Sequence, residues 1–153
     1  MIPLIIFSAQ YLYLVVITLG TITVFTSTKR IQRNYVKLIL GTFPLAYLIS
    51  KILAVMIIDP RPYIVQHIQP LIHASTDNGF PSDHTLLTMA IASVIFIYHK
   101  KIGILLGVLS VCIGIARVLS NVHHPIDIIG SIVISITSTF IIWYFLNKFK
   151  LLK

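Results

Sequence analysis

Three residues in the last third of the chain have the types and spacing of a catalytic histidine site. Arg117 is followed after five residues by His123, and Asp127 follows after three more. A carboxylate four residues from an imidazole can accept its Nδ1–H, which fixes the tautomer and leaves Nε2 free to attack an electrophile. The arginine could stabilise an anionic group under attack. A snorkelling arginine, a capping aspartate and a bystander histidine form the alternative interpretation.

A second candidate is the segment Pro81-Ser82-Asp83-His84. Ser82 precedes an apolar run and is therefore a natural N-cap for a helix. The free backbone N–H groups and the dipole of such a helix start favour an anion there. A histidine at a helix start is more often only an interfacial polar residue. His84 becomes a candidate because it is expected on the same side as His123.

Two further cations come earlier in the chain. Arg61 lies between two prolines, which stop the preceding helix and fix the direction of the arginine. Lys51 lies ten residues earlier inside an apolar stretch, where an ionisable residue suggests a function. Snorkelling of Lys51 to the membrane surface is the competing account.

The composition indicates that these residues belong to a membrane protein. The chain of 153 residues is 57% hydrophobic and only 10% charged, and its mean hydropathy is +0.95. Several apolar stretches reach the ~20 residues that a membrane-spanning helix needs. The predicted fold is an all-α membrane protein, one domain over residues 1–153.

The apolar stretches predict five spanning helices, with the site at the extracytoplasmic helix ends. The first is expected to be retained, because it lacks a basic segment before it and a clear cleavage site after it. The predicted spans cover residues 3–25, 35–58, 82–98, 102–119 and 125–146.

The basic residues predict the orientation of this bundle. Nine of the twelve lysines and arginines lie in residues 29–37, 100–101 and 148–153. With five spans these three clusters share one side, which the positive-inside rule assigns to the cytoplasm together with the C-terminus. The four acidic residues then fall at the outer face. We interpret the net charge of +8 as a topology signal and an anionic-lipid contact, and not as a nucleic-acid surface.

Residues 59–81 form the long outer connection. Apolar residues within it have near-helical spacing, which fits a helix lying flat at the membrane interface, although Pro70 would interrupt it. A loop that caps the bundle is the alternative.

The order of these motifs resembles the type 2 phosphatidic-acid phosphatase superfamily. The shared pattern is Lys…Arg-Pro, then Pro-Ser-x-His, then Arg-x5-His-x3-Asp, and it covers residues 51–127. The second and third motifs match in identity and spacing. That family includes membrane lipid-phosphate phosphatases, polyprenyl-diphosphate phosphatases and the vanadium haloperoxidases.

The resemblance implies a role for each motif residue. His123 would be the nucleophile, and its spacing to Arg117 and Asp127 selects it over the adjacent His124. Asp127 would orient His123, and His84 would protonate the leaving oxygen. The phosphate would be held by the side chains of Arg61, Arg117, Lys51 and Ser82.

Three departures from the family pattern stand out. Nine residues separate Lys51 from Arg61 where the family usually has six, so Lys51 matches less well than Arg61. Ala116 replaces a serine that commonly precedes the third-motif arginine. One of the six spans common in the family is missing.

These features predict an enzyme of the cytoplasmic membrane that removes the terminal phosphate of a lipid (di)phosphate without a metal or other cofactor. A polyprenyl diphosphate such as undecaprenyl diphosphate is the first choice of substrate. Phosphatidylglycerol phosphate, phosphatidic acid and a lipid A phosphate are alternatives. A metal site and a non-catalytic lipid-phosphate binder or transporter are the rival functions, and the spans exclude a soluble haloperoxidase.

Overall fold

The computed structural model describes residues 1–152, and its regular elements over that range are all helices. A single isolated β-bridge joins Pro60 to Asn78 in a loop. The helices are α1 (Ile2–Gln10), α2 (Leu12–Thr26), α3 (Lys29–Met56), α4 (Pro62–Val65), α5 (Asp83–Phe96), α6 (Lys100–Leu119) and α7 (Pro125–Lys148).

Three of these helices, α3, α6 and α7, are each long and apolar enough to cross a membrane. The pair α1 and α2 would make a fourth span, but its two halves are bent by 47°. Helix α5 is apolar and has 14 residues, which corresponds to about 21 Å at 1.5 Å per residue. The all-helical membrane fold is therefore confirmed, with three or four spans by length and composition.

The predicted helix bounds are close to the observed ones, with two differences. The first predicted span is broken at Tyr11, whose backbone leaves the helical region. No proline or glycine lies at this break. Helix α3 starts six residues before its predicted span, because the Thr28 side chain accepts a hydrogen bond from the backbone N–H of Ile31 and caps the helix there.

Buried hydroxyl groups join α5 to α7 toward the end of the bundle at which both helices start. Ser131 and Ser135 of α7 donate to the carbonyl oxygens of Ser82 and Leu86, at 3.0 and 2.7 Å. These side chains are fully buried. Without water in the bilayer, hydroxyl-to-carbonyl bonds of this kind hold helices together. They fix the start of α5 against the start of α7, where the candidate site lies.

The basic segments lie together at the end of the bundle away from the candidate site. Lys37 donates from Nζ to the carbonyl of Leu151 at 2.7 Å. The hydroxyl oxygen of Tyr35 lies 2.7 Å from Nδ1 of His99. The start of α3, the turn between α5 and α6, and the C-terminal tail therefore lie at the same end.

The long outer connection is mostly irregular. Helix α4 covers one turn, and the chain beyond it does not continue as a surface helix. Ile72 is buried against Val122 of the α6–α7 connection. Of the two interpretations of residues 59–81, the structure has the capping loop.

Candidate active site

The candidate site lies where four chain segments meet at one end of the bundle. Arg61 immediately precedes α4, and His84 lies in the first turn of α5. Arg117 is in the last turn of α6, Asp127 is in the first turn of α7, and His123 lies in the short connection between those two helices. The residues arrive together because α5 and α7 start at this end and α3 and α6 finish there.

His123 is at the centre of the cluster and is 2% exposed. Its Nδ1 lies 3.1 Å from Oδ2 of Asp127. Its Nε2 lies 3.3 Å from Nη1 of Arg61 and 3.3 Å from Nη2 of Arg117. Guanidinium groups only donate, so Nε2 is the acceptor and Nδ1 carries the proton that Asp127 accepts. The Nε2 lone pair therefore points between two arginines, where an anionic phosphate would be held.

Each arginine is anchored by groups other than those of the residues named in the sequence motifs. Arg61 pairs with Asp77 at 2.8 Å through Nη2, and its Nη1 donates to the carbonyl of Val122 at 3.0 Å. Arg117 donates from Nη1 to the carbonyl of Ala9 at 3.4 Å. That carbonyl belongs to the last turn of α1, where the break at Tyr11 leaves carbonyls without helical partners. Nε of Arg117 is buried and has no hydrogen-bond partner within residues 1–152.

The surroundings set the charges of His123 and Asp77. Burial lowers the pKa of His123 below its usual value; Arg117 and Arg61 lower it further, while the bond to Asp127 opposes them. The imidazole is therefore neutral at neutral pH, as a nucleophile must be. Hydrogen bonds from Ser75 and Arg61 lower the pKa of Asp77, so this carboxylate stays ionised and keeps Arg61 in place.

His84 is half-buried beside the cluster, within electrostatic range of Arg117, His123 and Arg61. The ring of Tyr13 in α2 meets it edge-on, with 4.9 Å between ring centroids. Such an aromatic contact fixes the plane of the imidazole.

Ser82 occupies the N-cap position of α5, but its side chain does not cap the helix. Its hydroxyl is fully buried and accepts a hydrogen bond from Thr85 at 3.3 Å. Its backbone carbonyl accepts from Ser131 of α7. Ser82 thus joins α5 to α7, and no hydrogen bond connects its hydroxyl to His123 or to either arginine in the described chain.

Lys51 does not join the cluster. Its side chain is exposed, and its Nζ lies over the ring of Tyr47, 5.2 Å from the centroid. Side chains on a helix tilt toward the N-terminus, which directs Lys51 away from the site end of α3. Within residues 1–152 it makes no hydrogen bond or ion pair with a site residue. The phosphate-clamping role expected for Lys51 is therefore not supported by its position.

Sequence motifs gave no indication of three neighbouring side chains, those of Asp59, Asp77 and His124. Each reaches its partner across a loop, Asp77 to Arg61 and Asp59 to His124. The sequence does place Asp59 two residues before Arg61, and His124 directly after His123. This nearness to motif residues is the one signal from which the Asp59–His124 pair could have been predicted.

Among the described residues, Asp59, His124 and Asp127 could hold a metal ion, because one ligand atom from each lies within 4.8 Å of the others. The fit is poor. Oδ2 of Asp127 already accepts from Nδ1 of His123 and from the backbone N–H of His124. Arg61 and Arg117 place two positive charges just beyond His123, which would repel a cation. We therefore assign no metal to these residues.

Several known proteins resemble this chain. It is 32% identical over 143 residues to a bacitracin transport permease protein BcrC of Bacillus licheniformis, covering 92% of this chain and 70% of that protein. It is 31% identical over 97 residues to undecaprenyl-diphosphatase BcrC of Bacillus subtilis, covering 63% of this chain but only half of that protein. The crystal structure of LpxE from Aquifex aeolicus has the same fold, with a TM-score of 0.64 over 94% of this chain and 92% of that one, at 21% identity.

The family assignment rests on the match to a family model. Residues 34–151 match the model of the PAP2 superfamily, which is more than half of the chain. The matched region contains the arginines, histidines and aspartate that meet in the candidate site. The chain belongs to the PAP2 superfamily.

Proposed function

We propose that this protein is a metal-independent membrane phosphatase that hydrolyses the terminal phosphate of a lipid (di)phosphate. The single observation that carries the proposal is the position of the His123 Nε2 lone pair between the guanidinium groups of Arg61 and Arg117, at 3.3 Å from each. A nucleophile and two fixed cations around one point are what phosphoryl transfer requires, because its transition state spreads charge over the phosphate oxygens.

The proposed reaction has two steps. Nε2 of His123 attacks the terminal phosphorus, the bond to the leaving oxygen breaks, and His84 gives that oxygen a proton. The products are a phosphohistidine and the lipid without its terminal phosphate. Water then attacks the phosphohistidine, His84 takes a proton from it, and His123 and inorganic phosphate are released. Asp127 holds Nδ1–H throughout and stabilises the positive charge that the ring acquires.

A polyprenyl diphosphate, with undecaprenyl diphosphate as the example, is the proposed substrate. The name of the Bacillus subtilis relative supports this choice. The small portion of the chain outside the predicted spans also supports it, since it offers little surface to recognise a large headgroup. Transport is the second candidate function, because the Bacillus licheniformis relative is named a transport permease.

Phosphate release from a panel of lipids tests the proposal. The purified full chain in detergent is given undecaprenyl diphosphate, phosphatidylglycerol phosphate, phosphatidic acid or a lipid A phosphate, with EDTA present and the His123→Ala protein as the blank. We expect release from undecaprenyl diphosphate to be fastest. Absence of release from every lipid would reject the phosphatase and leave transport; release that EDTA abolishes would reject metal independence.

The acidic limb of the pH profile is expected to lie below pH 6.5, because the pKa of His123 is lowered and the nucleophile stays neutral until the pH falls through that lowered value. Asp127 is the group that raises this pKa. Without Asp127 the pKa of His123 should fall further. The acidic limb of the residual activity of Asp127→Asn should therefore lie at still lower pH than in the wild type. The measurement is the rate of phosphoenzyme formation against pH in both proteins. A half-loss at or above pH 6.5, or a limb that moves to higher pH in the variant, would contradict this prediction.

We also propose five spans, with α5 as the short third, and a site on the extracytoplasmic side with the C-terminus in the cytoplasm. The basic segments lie together at the end of the bundle opposite the candidate site, and this supports the orientation. Thr76 and Lys101 are exposed and lie on opposite sides in this arrangement. In a Cys112→Ser background, an impermeant maleimide added to intact cells should label Thr76→Cys and spare Lys101→Cys. The reverse pattern would overturn the orientation.

A further inference from the structure

A second aspartate–histidine pair lies beside the candidate nucleophile and has no part in the reaction proposed above. Nδ1 of His124 lies 3.0 Å from Oδ1 and 3.1 Å from Oδ2 of Asp59. His124 is the N-cap residue of α7, and Asp59 lies in the segment that follows α3. The pair therefore connects the loop that carries Arg61 to the helix start that carries Asp127.

The backbone holds Asp59 firmly in this position. Its N–H donates to Oδ1 of Asn78, and its carbonyl accepts from the N–H of Gly79, both at 2.8 Å. A Cβ on Gly79 would lie 2.9 Å from that carbonyl and 3.1 Å from Oδ2 of Asp127, so a side chain there would force the segments apart. Asp59 is thus fixed close to the buried carboxylate of Asp127.

This closeness brings two carboxylates together. One ligand atom each of Asp59, His124 and Asp127 lies within 4.8 Å of the others. Asp127 must remain an ionised acceptor to hold Nδ1–H of His123, and it is fully buried. Its Oδ1 has no hydrogen-bond partner within residues 1–152, so its orientation depends on the two bonds to Oδ2. An Asp59 without its histidine partner would take up a proton, and its O–H would then donate to Asp127 in competition with His123.

We propose that His124 is a positioning residue that pairs with Asp59 and thereby keeps Asp127 available to His123. This inference rests on the proposed function for its kinetic consequences. Without the His124 ring, the two carboxylates face each other and take up a proton between them. Asp127 then no longer fixes the tautomer of His123. Removal of the Asp59 charge at the same time restores Asp127 to its role.

The proposal predicts an unusual pattern among three variants. His124→Asn should lower kcat by about 10- to 100-fold, which lies within the range of coupling between residues in contact. Asparagine is a good N-cap residue, so α7 should still start at this position. Asp59→Asn alone should change kcat by no more than a few-fold. The double variant should recover most of the kcat that His124→Asn loses. If the pair had only a structural role, kcat of the double variant would be equal to or lower than that of His124→Asn.

The experiment measures kcat and KM for the wild type, the two single variants and the double variant, with EDTA present. His73→Asn, an exposed histidine of the same outer loop, is the matched control and should leave kcat unchanged. A double variant no more active than His124→Asn overturns the proposal. So does stimulation of the wild type by Mg²⁺ or Mn²⁺ in a parallel assay without EDTA, if that stimulation is lost in Asp59→Asn, because the three residues would then hold a cation.

A second measurement separates this inference from the proposed function. In ¹⁵N-histidine-labelled protein, side-chain nitrogen shifts report which ring nitrogen of His123 is protonated. We expect Nδ1–H in the wild type, a mixture of tautomers in His124→Asn, and Nδ1–H again in the double variant. This pattern in a protein without phosphatase activity would reject the function and keep the positioning role. An unchanged tautomer in His124→Asn would reject the positioning role even in an active enzyme.

Discussion

Replacement of His123 with alanine is expected to stop turnover, with kcat reduced by at least about 10⁴-fold, the scale on which loss of a nucleophile or of its tautomer acts in other hydrolases. Nε2 is the atom placed between the two arginines, and no other imidazole nitrogen in the described chain lies within hydrogen-bond distance of both. The cavity that remains would still hold the phosphate, so KM should change far less than kcat. No phosphoenzyme should form.

The measurement combines steady-state phosphate release with rapid quenching of ³²P-labelled substrate. Phosphohistidine is stable in alkali and labile in acid, so the labelled wild-type protein should lose its label on acid treatment. His67→Ala, an exposed histidine in the outer loop, is the matched control and should retain both turnover and label. A labelled His123→Ala protein, or one that turns over within tenfold of the wild type, would contradict the nucleophilic role.

Replacement of Arg117 with alanine is expected to lower kcat by about 10²- to 10³-fold, the usual effect of removing one donor to a developing anion. Arg117 is 8% exposed, its Nη2 lies 3.3 Å from Nε2 of His123, and its buried Nε has no hydrogen-bond partner within residues 1–152. All three features support the proposed contact between the guanidinium and the transferring phosphate. Arg117→Lys should recover little of the loss, since an ammonium cannot reproduce the planar fork of donors.

The test is kcat and KM for both variants beside Arg33→Ala, an exposed arginine at the other end of the bundle. The control should keep the wild-type kcat. If Arg117→Ala raised KM and left kcat unchanged, Arg117 would bind the ground state and transition state equally well, and its proposed role in the transition state would be wrong.

Much of the fold could be predicted because lipid imposes simple rules. Every backbone polar group within a bilayer must be satisfied inside its own helix, so long apolar runs define helices directly. The ends of α6 and α7 accordingly fall within two residues of the prediction. The break at Tyr11 could not be predicted, since no residue there breaks helices. The carbonyl of Ala9, close to this break, accepts a hydrogen bond from Arg117, which lies more than a hundred residues away.

The site was predictable to the extent that it is local in sequence. The four-residue offset between His123 and Asp127 lies within one helical start, and the structure has the expected hydrogen bond. The position of Lys51 outside the cluster could not be predicted, because its depth in the apolar stretch does not specify the direction of its side chain, which points toward Tyr47. Asp59 and Asp77 were not assigned roles because the outer loop brings them to their partners, and loop geometry leaves little trace in composition.

The contacts of the bent N-terminal helices have a consequence for how such enzymes diverge. The region that matches the family model begins at residue 34. Ala9 and Tyr13 lie before it, yet one contacts the guanidinium of Arg117 and the other the ring of His84. Substitutions in this first helix pair can therefore shift Arg117 and His84, the proposed phosphate ligand and proton donor, while every signature residue stays unchanged. The geometry of the candidate site can in this way change through a part of the chain that lies before the region matching the family model.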